Sequence, residues 1–230
     1  MEQHNLLEIK DLSIRYQSAK QNTINHLSFA IRKGEILCLR GRSGAGKSTV
    51  IWAIMGMLEE YDAVCEGGEI LYEGIDLLHC SEKEWKKLRW REIALVPQSS
   101  MNSFNPVYTI GRTINEMFRY NEETKRWSKA QRRARMEQLM DMVHLDHNVL
   151  NCFPHQLSGG MRQRSAIALA IMFHPKILIL DEATTGLDIL IQADVLGTIL
   201  ELKKQQNMTI LFISHDAELA KSFSDRSVEL

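Results

Sequence analysis

The stretch GRSGAGKST, residues 41–49, follows the apolar run EILCLR (35–40) and opens onto an apolar helical pattern, STVIWAIMGML (48–58). A strand, a glycine-rich turn closing on Lys-Ser, and then a helix predict a phosphate-binding loop. Gly41, Gly44 and Gly46 allow the backbone to curl with its N–H groups pointing inward, which makes a nest of donors at a helix N-terminus. Lys47 is long enough to reach the β and γ phosphates of a nucleotide, and the Ser48 hydroxyl is a hard oxygen suited to Mg²⁺. Ser43, Ala45 and Thr49 complete the expected binding loop. The ligand implied is a nucleoside triphosphate with magnesium. A glycine-rich turn that merely joins a strand to a helix requires neither the lysine nor the hydroxyl.

Downstream, KILILDEATTGLD (176–188) contains a short uninterrupted apolar run, Ile177 to Leu180, as expected of a strand buried on both faces of a parallel sheet. Asp181 then emerges at the carboxyl end of that strand, where ligands bind in open α/β sheets, and is placed to hold the magnesium hydration shell. Glu182 is the candidate general base for a water that attacks the γ-phosphate. On its own the acidic pair would read as a cap for the following helix.

A third segment, HQLSGGMRQRSAIALAIMFHP (155–175), offers Ser158 as an N-cap, Gly159 and Gly160 with uncovered N–H groups, and a helix that Pro175 discourages from continuing. It reads as a second anion-binding helix N-terminus. One nucleotide needs one cradle, so the economical reading gives this one to a nucleotide held by another subunit. Here the chain resembles the ATP-binding cassette (ABC) ATPases, whose signature motif LSGGMRQR is similar to. The resemblance implies ATP as the nucleotide and gives further positions a role. Tyr16, after LEIKDLSIRY, stands where the family stacks an aromatic on adenine. Gln98, in IALVPQSS, resembles the glutamine that senses magnesium and links to a membrane subunit. Asp188 resembles the aspartate that faces the opposite protomer, and His215, after TILFIS, the histidine that contacts the γ-phosphate. Lys47, Gln98, Glu182 and His215 are therefore the expected catalytic set, and Ser48, Gln98 and Asp181 the expected magnesium set.

Composition fits such a subunit. The 230 residues suit one α/β domain with an insertion: a catalytic core at 1–98 and 161–230, with a helical insertion at 99–160. A net charge of −1 argues against a nucleic-acid partner bound through a broad positive surface. No apolar run approaches the roughly 20 residues that span a bilayer, and MEQHNLLEIKD has no signal-peptide character. Cys38, Cys65, Cys80 and Cys152 lack C-x-x-C spacing, which favours free thiols in a reducing compartment. The expected place is the cytoplasmic face of a membrane. The expected fold is an α/β P-loop core of mainly parallel strands, with an N-terminal antiparallel β portion and an inserted helical subdomain.

Within the insertion, TIGRTINEMFRY (109–120) has Ile110, Ile114 and Met117 at helical spacing. A second helix is expected from Ser128, with Gln131 completing a capping box and Met136, Leu139, Met140 and Val143 facing inward. Lys125, Arg126, Lys129, Arg132, Arg133 and Arg135 form a basic cluster, read as a solvated face ahead of a contact with a partner or anionic lipid. His144, His147, Cys152 and His155 carry enough ligand types for zinc, but their place at a helix end and before the signature favours structural roles.

SSMNSFNPVYTIG (99–111) is similar to the segment after Gln98 in the oligopeptide, dipeptide and nickel importer branch of the family. That branch implies a second ATPase subunit, identical or related and bound head to tail, two membrane permeases, and an extracytoplasmic binding protein delivering peptides, nickel or nickel chelates. An exporter ATPase and a soluble non-transport ABC ATPase are the alternatives. The chain departs from the family pattern at Ala183, where proline is usual, and at Leu230, where relatives continue. The expectation there is a trimmed chain or a sheet lacking an edge.

Overall fold

The computed structural model describes residues 4–98 and 104–230. Two sheets organise it. The antiparallel sheet has the order β2-β1-β4-β5, built from β1 (Asn5–Tyr16), β2 (Ile24–Arg32), β4 (Ala63–Tyr72) and β5 (Ile75–Asp76). The parallel sheet has the order β6-β7-β8-β3-β9, from β3 (Ile36–Arg40), β6 (Ile93–Val96), β7 (Ile177–Asp181), β8 (Thr209–Ser214) and β9 (Arg226–Glu229). The antiparallel N-terminal portion and the parallel core expected from the sequence are both present.

The apolar runs of the parallel strands sort by alternation into two cores, because successive side chains leave a strand on opposite faces. Cys38, Leu178, Leu180, Ile210 and Phe212 face one core. There they meet α3 (Ile110–Tyr120), α4 (Lys129–Met142), α5 (Gly159–Ala170), α6 (Ile189–Gln206) and α7 (Ala217–Phe223). Leu37, Leu39, Ile177, Ile179, Leu211 and Ile213 face the other, against the antiparallel sheet, α1 (Lys47–Ile54) and α2 (Glu82–Leu88). Burying each such aliphatic side chain contributes roughly 1.5–3 kcal/mol, and burial on both faces fixes the register of these strands. Tyr72 bridges the layers, its hydroxyl donating to Glu92 Oε2 at 2.6 Å, and burial raises its pKa.

The helices agree with the sequence pattern in type and depart from it in detail. Ser128 caps α4 with the expected Gln131 capping box, and Met136, Leu139, Met140 and Val143 are all buried. On α3 the third buried residue is Phe118 rather than Met117, which is only partly covered. The Phe118 ring sits against Trp127 and Phe173, partners that only the tertiary fold supplies. The pattern 48–58 predicts a longer first helix than the one observed. Gly56 takes φ 65°, and a Cβ there would lie 2.3 Å from the Trp85 ring, so the chain turns away at Met55.

The basic cluster is not one solvated face. Arg135 is buried, donating to the Met172 carbonyl at 2.9 Å and to Gln138 Oε1 at 2.7 Å, with His174 Nε2 at 2.8 Å. Arg133 pairs with Glu137, and Lys125 with Glu122. The four residues with zinc-like spacing are likewise dispersed. His144 pairs with Glu201, His147 with Asp141, Cys152 donates to Asn148 O, and His155 stacks on Phe153. Among the described residues no His, Cys, Asp or Glu cluster is placed to hold a metal ion. Among them, too, no helix is long and apolar enough to cross a membrane.

A bulge in β1 depends on glycine. Asp11 takes φ 51°, and opposite it Gly68 takes φ 98°, with a Cβ there 2.6 Å from the carbonyls of Lys10 and Asp11. Gly67 next to it has open space. Gly68→Ala is expected to lower stability by about 1–3 kcal/mol, whereas Gly67→Ala stays close to the parent. Urea midpoints at unchanged m-value check the pair.

Candidate functional site

The loop 41–49 leaves the carboxyl end of β3 and runs into α1. Gly46 has φ 99° and caps the helix, and a Cβ there would lie 2.5 Å from Ile24 Cδ1, so the position excludes other residues. Gly44 has φ 79° in open space. Gly41 lies against Ala45, and the exposed Arg42 and Ser43 form the outer turn. Lys47 is only 6% exposed; its Nζ donates to the carbonyls of Gly41 at 2.9 Å and Arg42 at 3.0 Å. The ammonium is held inside the ring of loop backbone rather than out in solvent. Ser48, half-buried, follows it.

The neighbouring strands bring the other groups to the same edge of the sheet. Gln98 lies just beyond β6, Asp181 ends β7, and His215 follows β8, three adjacent strands in the order β6-β7-β8. The four elements converge on Glu182. Lys47 Nζ is 3.9 Å from its Oε1, His215 Nδ1 is 3.4 Å from the same oxygen, and Gln98 Nε2 donates to Oε2 at 3.0 Å. The Glu182 side chain is 14% exposed, so these polar neighbours replace much of its water. With its amide nitrogen on Glu182, Gln98 has no donor to its amide oxygen among the described residues. Asp181, beneath the cluster, has its pKa pushed up to about 6, first by burial and then by the charge of Glu182, against the opposing pull of Lys47.

The remaining expected site residues are elsewhere or otherwise engaged. Tyr16, at the end of β1, places its hydroxyl 2.9 Å from Thr49 Oγ1, and Thr49 is itself buried. Ser158 is exposed and caps α5 through Met161 N at 3.3 Å. Gly159 is half-covered, while Gly160 is buried, with space for a Cβ closed by Ile191 Cγ2 at 2.6 Å. Glycine at 160 thus serves close approach of α6 as well as an uncovered backbone. Asp188 is exposed and caps α6 through Ile191 N at 3.0 Å. Among the described residues, no hydrogen bond or ion pair joins Ser158–Gly160 or Asp188 to the loop 41–49. Sequence reading missed Ile191 altogether, since it looks like any apolar residue at a helix start. Of the segment 99–111, residues 99–103 lie outside the described residues.

The donors near the loop fit magnesium by their chemistry: the Ser48 hydroxyl, the Asp181 carboxylate and the Gln98 amide oxygen are all hard oxygens. Among the described residues, no hydrogen bond satisfies the Asp181 carboxylate.

A parallel sheet with a glycine-rich loop, a lysine held inside it and paired carboxylates at the end of β7 defines a P-loop nucleotide-binding domain. The family model described as ABC transporter matches residues 24–185, and the chain belongs to that family. It is similar to the oligopeptide transport ATP-binding protein OppD of Bacillus subtilis (strain 168), at 39% identity over 96% of this chain and 62% of that protein. It is also similar to the dipeptide transport ATP-binding protein DppD of Escherichia coli (strain K12), at 38% identity over 93% of this chain and 65% of that protein. The chain thus spans a little under two thirds of the length of these relatives. Among solved structures, a dimeric post-hydrolysis state of the ATP-binding cassette MJ0796 bound to ADP and Pi superposes with a TM-score of 0.83. The match has 25% identity and covers 97% of this chain and 94% of that chain.

Asp181 has a measurable consequence. Its folded pKa of about 6 lies above the ordinary 3.8, so the folded protein holds the proton more tightly than the unfolded chain does. The group therefore supports stability at low pH and loses that support as pH rises through about 6. In nucleotide- and magnesium-free protein, Asp181→Asn is expected to gain on the parent across that window, by on the order of 1–2 kcal/mol at neutral pH. Thermal or urea unfolding at pH 4 and pH 7 reads the difference.

Proposed function

We propose that this chain is the ATP-binding and ATP-hydrolysing part of an ABC transporter that imports peptides. The observation that carries the reading is the convergence of Lys47, Gln98 and His215 on the Glu182 carboxylate at the mouth of the loop. Cationic and polar groups gathered at one carboxylate beside a phosphate-binding loop suit hydrolysis of a γ-phosphate, where positioning and charge stabilisation dominate. The cassette is read as a core at 1–98 and 161–230 with a helical insertion at 99–160.

In this reading the backbone N–H groups of the loop and Lys47 bind the triphosphate, and Tyr16 packs on the base. Glu182 orients a water and accepts its proton as the water oxygen bonds to the γ-phosphorus and the bond to the ADP oxygen breaks. His215 holds the γ-phosphate and the water in line. Magnesium, held by Ser48, Asp181 and Gln98, supplies charge neutralisation on the phosphates when bound. Ser158 and Asp188 are exposed and Gly159 half-covered, with no bond to the loop among the described residues, which supports the use of Ser158–Gly160 and Asp188 by a second subunit: two cassettes pair head to tail, each closing the other's nucleotide. The pair works beneath two membrane permeases at the cytoplasmic face, with an extracytoplasmic binding protein delivering cargo. Peptides are favoured over nickel or its chelates because both relatives reported above are named for peptide transport.

Three variants test the reading. Glu182→Gln is expected to bind ATP and accumulate as a dimer while turnover falls about 10²–10³-fold. Lys47→Ala should weaken ATP binding about tenfold or more. Ser158→Ala should lower turnover without changing nucleotide affinity of the solitary chain. Size-exclusion chromatography with ATP, and specific activity against protein concentration, supply the measurements. Parental hydrolysis by Glu182→Gln, or activity independent of dilution down to a monomer, overturns the reading.

A further inference from the structure

The first turn of α6 carries two adjacent residues that face different parts of the site. Ile191 closes the space beside Gly160, so the start of α5 is seated on it. Gln192, half-buried, donates from Nε2 to Thr184 Oγ1 at 2.9 Å. Thr184 is 3% exposed and follows Glu182 by two residues. A cavity of about 190 Å³ lies between them, bounded by Glu182, Thr184, Gln192, Ser214 and His215.

Glu182 takes φ 45°, a left-handed conformation that costs a non-glycine residue free energy and persists only where the flanking chain is held. On its N-terminal side β7 holds it, with Glu182 N donating to Ile213 O at 3.2 Å. On its C-terminal side the backbone bonds are local, Thr185 N to Glu182 O at 3.0 Å and Leu187 N to Thr184 O at 3.3 Å. Among the described residues, Gln192 makes the one side-chain hydrogen bond that reaches residues 183–187 from outside that loop. The helix does not need this bond to begin, because Asp188 already caps it through Ile191 N. The restraint therefore acts on the loop.

We propose that Gln192 is a positioning residue for ATP hydrolysis: through Thr184 it fixes the strained turn that aims the Glu182 carboxylate at the nucleotide. With Ile191 beside it, the same helical turn ties the carboxylate of a protomer's own site to Gly160, which that protomer offers to its partner's nucleotide. The inference rests on the ATPase reading above.

The test compares Gln192→Leu and Thr184→Val, which remove the hydrogen bond from either side, with Thr184→Ser, which keeps the hydroxyl. In the assembled ATPase each of the first two should lower kcat about tenfold while KM for ATP stays within about twofold. The double variant should fall no further than either single one, and Thr184→Ser should retain parental kcat. In a Glu182→Gln background, Gln192→Leu should still trap ATP in dimers at the parental protein concentration, a result that a general loosening of the interface would not give. Parental kcat in Gln192→Leu, a loss expressed as raised KM, additive single effects or loss of trapping each overturn the proposal. If Glu182→Gln alone is inactive while Gln192→Leu turns over normally, only this inference fails. If Glu182→Gln hydrolyses normally, the underlying ATPase reading fails with it.

Discussion

The enclosure of one carboxylate, Glu182, by groups from three other elements is the constraint on which the rest of the site depends. Lys47 comes from the loop after β3, Gln98 from beyond β6 and His215 from the end of β8. A parallel sheet delivers all of them to one edge because every strand ends on the same side. Taking a carboxylate out of water is costly, and the lysine, amide and imidazole around Glu182 offset that cost while keeping it anchored. Lys47 is in turn restrained by the loop carbonyls, so neither partner is free to swing away.

That geometry is only as accurate as the strands beneath it. Each central strand is buried on both faces, with alternate residues entering two different cores, so a slip of one residue would exchange the contents of both. The antiparallel sheet and α2 cover one face and the helical layer the other. The same helical layer sets Ser158 and Asp188 on exposed positions remote in bonding from the loop. A site whose parts face outward in this way is the physical basis for reading function in terms of two cassettes.

Much of the fold was legible because its signals are local. Ile177–Leu180 reads as a doubly buried strand and is one, and the Ser128–Gln131 capping box forms as the spacing implies. The loop 41–49 reads from glycines and lysine alone, and the structure draws Lys47 inside it. What misled were patterns whose meaning depends on distant neighbours. Arg135 sits in a run of basic residues yet is buried against Met172 and His174. The helix from Lys47 stops early because Trp85, far along the chain, occupies the space beside Gly56. Spacing along the chain does not say where side chains point once helices pack.

The sequence by itself determined the doubly buried strand at Ile177–Leu180, the capped helix from Ser128, the glycine-rich loop 41–49 and the identity of the groups near it, because backbone conformation and donor chemistry are properties of the residues themselves. Only the tertiary structure decided which groups meet. The hold of Lys47, Gln98 and His215 on one carboxylate, the bond between Tyr16 and Thr49, and the seating of Gly160 on Ile191 all join residues far apart in the chain. Such meetings follow from how the strands are ordered and how the helices pack over them, and no short segment encodes either.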